Sequence, residues 1–150
     1  MATIRPPSER DHEQWRVLWG GYNAFYGRVG PTALPATVTQ TTWARLLDPK
    51  EPVHGLVAEE DGRLIGLAHY LFHRSTISIP LTCYLQDLFT AEAARGKGIG
   101  RALIEAVYAR AREAGSRRVY WQTHETNETA QRLYEKMARR SGFIVYRHDL

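Results

Sequence analysis

Arg95-Gly96-Lys97-Gly98-Ile99-Gly100-Arg101 holds the densest chemical information in this chain: three glycines spaced by two, with three cations among them. An apolar run ending in Asp87-Leu88-Phe89 precedes the stretch, and an amphipathic pattern follows it at once. Strand, glycine-rich turn and helix N-terminus, in that order, leave several backbone N–H groups without acceptors and set a helix dipole behind them. Such a site takes an anion, so the stretch reads as a cradle for a pyrophosphate.

The missing residues narrow the ligand. A dinucleotide fingerprint needs a further glycine where Leu103 stands, and it belongs in a first βα unit rather than two thirds along a chain. A Walker A loop needs Ser or Thr after its lysine and an earlier glycine where Ala91 stands, whereas Gly98 follows Lys97. What remains, Arg-x-x-Gly-x-Gly from Arg95 to Gly100, resembles the coenzyme A loop of the GCN5-related N-acetyltransferases (GNAT).

The elements that must position this loop follow from periodicity. Thr3-Ile4-Arg5 suits a short strand, and Ser8-x-x-Asp11 is a capping box opening a helix. That helix carries Trp15, Leu18, Trp19, Tyr22, Phe25 and Tyr26 at helical spacing. Most of this stripe belongs to the core, while Tyr22 to Tyr26 leads into the Gly27 to Pro35 loop and is placed to wall an acceptor pocket. A second helix spans about Thr39 to Leu47, ending before Pro49. His54 to Glu59 and Arg63 to His73 form a hairpin across Asp61-Gly62. Thr82 to Thr90 is a further strand, Ile99 to Ala111 a helix stopped by Gly115, and Arg117 to Thr123 a strand. Asn127 to Arg140 reads as a helix with Asn127 as N-cap and Gly142 as terminator, and Phe143 to Arg147 as a closing strand. A hairpin-rich middle followed by strand, helix, strand, helix, strand implies a mixed α/β fold with helices on the faces of its sheet.

From Gly62 onward the chain is similar to the GNAT family at each stage. Two patches carry the likeness: Tyr84-Leu85-Gln86-Asp87-Leu88-Phe89-Thr90 running into Arg95 to Arg101, and Trp121-Gln122-Thr123-His124-Glu125-Thr126-Asn127 followed by Ala130, Leu133-Tyr134 and Ser141-Gly142-Phe143. The nearest subgroup resembles the spermidine/spermine acetyltransferases and the yeast-type histone and D-amino-acid acetyltransferases. The resemblance implies one GNAT domain over 1–150, with a largely antiparallel mixed sheet of six to seven strands, a splayed strand pair and about four flanking helices. It implies acetyl-CoA as donor, held by Leu88, Phe89 and Thr90 on the strand, by Arg95, Gly96, Lys97, Gly98, Ile99, Gly100 and Arg101 in the loop, and by Asn127. Splaying frees main-chain amides that a paired sheet would consume, so an amide-bearing arm bonds there as a surrogate strand. Polyamine enzymes carry glutamate where this chain has Gln86, which weakens the case for a polyamine acceptor.

Acetyl transfer to an amine needs a neutral nitrogen, yet an alkylammonium with a pKa of about 10.4 is protonated at neutral pH. Asp87 and Glu125 are the carboxylates nearest the expected split, with His124 as a third candidate base. Tyr134 lies two turns along the last helix from Asn127, and the resemblance makes it the acid for the departing thiolate. Tyr22, Tyr26 and Gln86 are the candidate acceptor contacts. There is no Gly-x-Ser-x-Gly elbow and no His-Glu-x-x-His, so direct transfer is expected and no metal site is expected.

Composition agrees with this frame. The 150 residues are 43% hydrophobic and 24% charged, near the globular average, and a single cysteine, Cys83, permits no internal disulfide. The net charge of +4 comes from arginines interleaved with glutamates, the pattern of solvated helix faces rather than of a nucleic-acid surface. Neither a spanning segment nor a signal peptide is visible. The expectation is a cytoplasmic enzyme, partnered by a small-molecule amine and a second copy of itself, with no nucleic-acid or membrane partner. A protein lysine or N-terminal acetyltransferase and a non-catalytic coenzyme A-binding module are the alternatives.

Overall fold

Asp61 and Gly62 both adopt positive φ, 51° and 75°, as a two-residue I′ hairpin turn demands. They join strands β2 (Val53–Glu60) and β3 (Arg63–His73) in the computed structural model, which describes residues 1–150. The remaining strands are β1 (Thr3–Arg5), β4 (Thr82–Thr90) and β5 (Val119–Tyr120). Four helices accompany them: α1 (His12–Phe25), α2 (Ala36–Leu47), α3 (Ile99–Glu113) and α4 (Glu128–Met137). One sheet runs β1-β2-β3-β4-β5, antiparallel through β4, with β5 parallel to β4.

Each face of the sheet buries its own apolar cluster. On one face α3 packs Ile99, Leu103, Ile104, Val107 and Ala111 against Leu56, Ala68, Tyr70, Cys83 and Leu85. On the other, α1 packs Trp15, Leu18, Trp19 and Tyr22 against Val57, Leu64 and Leu67, so the aromatic stripe of α1 is largely core. The α1 entrance is pinned by Asp11, whose two carboxylate oxygens accept from the Arg5 guanidinium at 2.7 and 2.9 Å while the Ser8 N–H donates to the same group at 2.7 Å. Helix α3 stops as its glycine implies: Gly115 has φ 79° and the Ser116 N–H returns to the Ala111 carbonyl at 2.9 Å.

The sheet has five strands, not six or seven. Arg117 to Thr123 is strand only over Val119–Tyr120, because the chain departs from β4 beyond that point. Phe143 to Arg147 is not a strand: it lies exposed, and no neighbouring strand takes its backbone hydrogen bonds. Helix α4 ends at Met137, since Ala138 is already extended (φ −155°, ψ −171°), which leaves Arg139 and Arg140 outside it. No helix is long and apolar enough to cross a membrane.

Candidate active site

A bulge decides where Asp87 points. His69 of β3 pairs with Asp87 of β4, but the next residue, Tyr70, pairs with Leu85, so Gln86 is an extra residue in β4. Side chains alternate faces along a strand, and one inserted residue reverses the alternation beyond it. Leu85 therefore packs into the α3 cluster, while Asp87 is turned to the α1 face beside His69. Without the bulge, Asp87 would be driven into the apolar α3 cluster.

Asp87 is buried and hydrogen-bonded. Its Oδ2 lies 2.9 Å from His69 Nδ1, and the Trp15 indole N–H donates to His69 Nε2 at 3.0 Å. The Tyr22 phenol also interacts with this carboxylate, by charge and as a hydrogen-bond donor, and Asp87 lines an open cleft of about 770 Å³. Trp19, Tyr22, Tyr26, Arg28, Gln86 and His124 also line it. The Tyr22 phenol is held protonated far above its usual range, first by burial and then by the charge of Asp87.

A narrower cavity, about 40 Å³, opens where β4 and β5 part. The two strands pair only at Cys83–Val119 and Tyr84–Tyr120, so from Leu85 to Thr90 that edge of β4 is unpaired. Leu85, Leu88, Trp121 and Tyr134 line the gap, and Tyr22, Tyr26, Gln86 and Gln122 form a wall common to gap and cleft. Tyr134 reaches it from α4, its ring set edge-on to Trp121 at 5.4 Å between centroids. Burial is the main cause that pushes its phenol up to about 12. Asn127 caps α4, its side-chain oxygen accepting from the Ala130 N–H at 3.3 Å.

The glycine loop leads into α3 in the manner anion binding requires. Gly96 and Gly98 both have positive φ, 79° and 78°, and a Cβ on either would meet nothing within 4 Å. These glycines are therefore demanded by backbone conformation and not by crowding from the chain itself. The N–H groups from Gly96 to Arg101 have no backbone acceptor; the first to find one is that of Ala102, bonded to the Gly98 carbonyl at 3.0 Å. Lys97 and Arg101 are exposed beside them, and Arg95 folds back to the Thr90 carbonyl at 3.3 Å with its guanidinium over the Phe89 ring.

The structure thus gathers Asp87, Tyr134, Tyr22, Tyr26 and Gln86 around two joined cavities. Glu125 is not among them: it is exposed in the turn before α4 and borders neither cavity. Sequence reasoning missed four participants. His69 was hidden because a polar residue in an alternating strand is silent about its partner. Arg28 sits 5.8 and 5.4 Å from the Tyr22 and Tyr26 ring centroids, its Nε donating to Asn23 Oδ1 at 2.6 Å. Trp19 and Thr123 also line the cleft, and each keeps a buried polar atom, the indole N–H and the hydroxyl, with no hydrogen-bond partner. A buried donor left unpaired costs free energy unless a ligand or water takes it.

Comparison with known proteins identifies the family and the fold. A profile described as the acetyltransferase (GNAT) family matches residues 15–138. The D-amino-acid N-acetyltransferase HPA3 of Saccharomyces cerevisiae is 41% identical over 148 residues, covering 97% of this chain and 89% of its own. Among solved structures, a probable acetyltransferase superposes with TM-score 0.85 at 24% identity, covering 99% of this chain and 97% of that one. The aminoglycoside enzyme AAC(6')-Iy, solved with a bisubstrate analogue built on coenzyme A, superposes with TM-score 0.84 at 18% identity over 100% of this chain and 99% of that one. With a family profile over most of its length and a relative this similar end to end, the chain belongs to the acetyltransferase (GNAT) family.

Proposed function

We propose that this chain is an acetyl-CoA-dependent N-acetyltransferase whose acceptor is the primary amine of a small molecule bearing a carboxylate, an amino acid first of all. One observation carries the reading: the cleft walled by Asp87 and the gap walled by Tyr134 share a common lining, so a base and an acid face one space from two sides. The loop suits the cofactor. Its fan of unbonded N–H groups and the cations Lys97 and Arg101 match a diphosphate, and the unpaired edge from Leu85 to Thr90, with Leu88 and Thr90 foremost, offers main-chain groups to an amide-bearing arm. Gly96 to Arg101, with Arg95 ordering the loop, would hold the phosphates, while Phe89 braces Arg95. Asn127 has its amide nitrogen to spare after capping α4.

When bound, acetyl-CoA supplies an acyl carbon open to attack by a neutral amine, and a thiolate leaves. Asp87 Oδ1 would take the proton that makes the amine neutral, and the second N–H proton, released as the amide forms, would restore the one that Tyr134 passes to the sulfur. Tyr134 keeps its proton throughout the ordinary pH range, and its hydroxyl donates toward the departing sulfur. Tyr22, Tyr26 and Trp121 exclude water around that space.

The charges of the cleft favour an amino acid over a polyamine. One carboxylate, Asp87, lines the cleft together with three arginines, Arg28, Arg45 and Arg147. A polycation would meet repulsion there, whereas a zwitterion can place its ammonium at Asp87 and its carboxylate toward Arg28. The D-amino-acid acceptor named for the yeast relative points the same way.

The test is release of free thiol from acetyl-CoA over D- and L-amino acids, their decarboxylated counterparts, polyamines and basic peptides. Turnover confined to amino acids supports the reading, and cofactor binding without turnover on any acceptor would instead mark a coenzyme A-binding module. We further propose that residues 1–150 act as one catalytic domain, placed in the cytoplasm where acetyl-CoA is made available, and that two copies pair through the exposed segment Phe143 to Tyr146.

A further inference from the structure

The indole of Trp15 can only donate a hydrogen bond, and it points at His69 Nε2 from 3.0 Å. Nε2 must therefore be the unprotonated nitrogen, and the ring proton sits on Nδ1, 2.9 Å from Asp87 Oδ2. Placing a second proton on Nε2 would set two N–H groups head to head inside a core where Trp15 is fully buried and His69 only 4% exposed. We propose that Trp15 and His69 form a one-way donor chain that locks His69 as the neutral Nδ1–H tautomer, keeping Asp87 an unneutralised carboxylate with Oδ2 tethered and Oδ1 left to the acceptor ammonium.

His69 is thus a positioning residue, acting on the reaction through Asp87, and the inference rests on the reading of Asp87 as the base. The alternative state is easily pictured. An imidazolium beside Asp87 would form a buried ion pair and draw the carboxylate away from the acceptor, which would silence the enzyme near neutral pH, where an ordinary histidine titrates. The indole donor removes that state. It also restrains the ring plane, since His69 packs against the stacked pair Trp15 and Trp19 at centroid distances of 5.9 and 5.1 Å.

The surroundings of His69 contain nothing else to set its charge. From α1 it meets Trp15 and Trp19, which do not titrate; from β2 its cross-strand neighbour is Gly55; from β4 it meets Asp87. Beyond Asp87 stand Tyr22, Tyr26 and Arg28, and Arg45, His124 and Arg147 occupy other parts of the cleft wall. The phenols of Tyr22 and Tyr26 are both raised by burial and by Asp87, so they too stay neutral donors.

Two experiments test the chain of donors. The first needs no activity: long-range 1H–15N correlation of the histidine rings in the unmodified protein between pH 5 and 8. The His69 resonances, assigned by their loss in His69→Asn, are expected to show the Nδ1–H tautomer without titrating. Titration with a midpoint near 6.5, or the Nε2–H tautomer, overturns the proposal whatever the enzyme acetylates. The second follows kcat/KM against pH. Trp15→Phe frees Nε2, so activity at pH 6 is expected to drop at least about tenfold relative to pH 8.5, beyond any such drop in the parent. Adding His69→Asn, whose side-chain N–H takes the place of Nδ1–H, is expected to abolish that extra pH dependence. An equal loss at all pH values in Trp15→Phe would reduce the residue to core packing and end the proposal. Asp87→Asn separates the two levels: full activity in that variant removes Asp87 as base, whereas inactivity together with a titrating His69 removes only the donor chain.

Discussion

Tyr134 lines the gap and Arg28 the cleft beside it, and the role proposed for each makes a separable prediction. The Tyr134 phenol is pushed up to about 12 chiefly by burial, so it stays protonated through the whole range in which enzymes are assayed. Tyr134→Phe is expected to lower kcat by about 10²-fold, the ordinary scale of a general acid, while leaving cofactor affinity within about threefold. No alkaline limb below pH 10 should vanish with the hydroxyl, because the group does not ionise there; steady-state kinetics from pH 6 to 10 read both points, and unchanged kcat removes the acid role. Arg28 sits on the acceptor side, stacked on Tyr22 and Tyr26 and anchored by Asn23. Arg28→Lys keeps the charge but loses the planar fork that grips a carboxylate. KM for amino acids is expected to rise about tenfold or more, in line with loss of a charged hydrogen bond, while kcat/KM for the decarboxylated amine stays put. Equal losses on both substrates would take Arg28 out of carboxylate recognition.

At the level of elements, the electrostatics of the α1 entrance can be read by acid unfolding. Asp11 is 3% exposed and its carboxyl is lowered from 3.8 to about 2, first by the Arg5 guanidinium, against the cost of burial. A carboxyl depressed in the folded state lends stability above its unfolded pKa and loses it as pH falls through the folded one. Asp11→Asn is therefore expected to cost about 2 kcal/mol at pH 7, a deficit that shrinks below pH 4 and closes near pH 2. Urea melts at a series of pH values measure it, and a deficit independent of pH would mean that shape rather than charge is at stake. This capping box was legible in the residues, as were the hairpin turn at Asp61-Gly62, the stop at Gly115 and the loop-to-helix cradle, because each rests on local backbone chemistry. The face presented by Asp87 was not legible. Period-two alternation assigns it to the α3 side, and only a bulge at Gln86, imposed by pairing with β3, turns it toward His69. Glu125 fails for the complementary reason: nearness in sequence to the split does not place a side chain inside it, and the turn before α4 carries this one outward. Acidic residues can be named from sequence, but the cavity they face is set by register.

At the scale of the whole molecule, the expected sixth strand poses the remaining question. Phe143, Ile144, Val145 and Tyr146 have the composition of a strand, and composition alone led to that expectation. A strand exists only where another strand accepts its hydrogen bonds, and within this chain none does so. The four side chains stand 91%, 75%, 66% and 88% exposed, a run of apolar surface that costs free energy in water. Meanwhile β5 ends the sheet with an open outer edge. A second copy would supply both missing partners, as proposed above: apolar surface for the segment and main-chain acceptors for the edge. Arg147, next in sequence, already borders the cleft, so pairing there would also stiffen one wall of the acceptor site. Sedimentation equilibrium is expected to find a dimer for the full chain and a monomer for Ile144→Lys/Tyr146→Lys, with the folded monomer retaining cofactor binding, since the glycine loop lies on α3 and not on this segment. If the pair of lysines leaves the mass at that of a dimer, the segment is not the contact. If the parent chain is itself monomeric, the open edge of β5 is tolerated in solution and pairing plays no part in acetyl transfer.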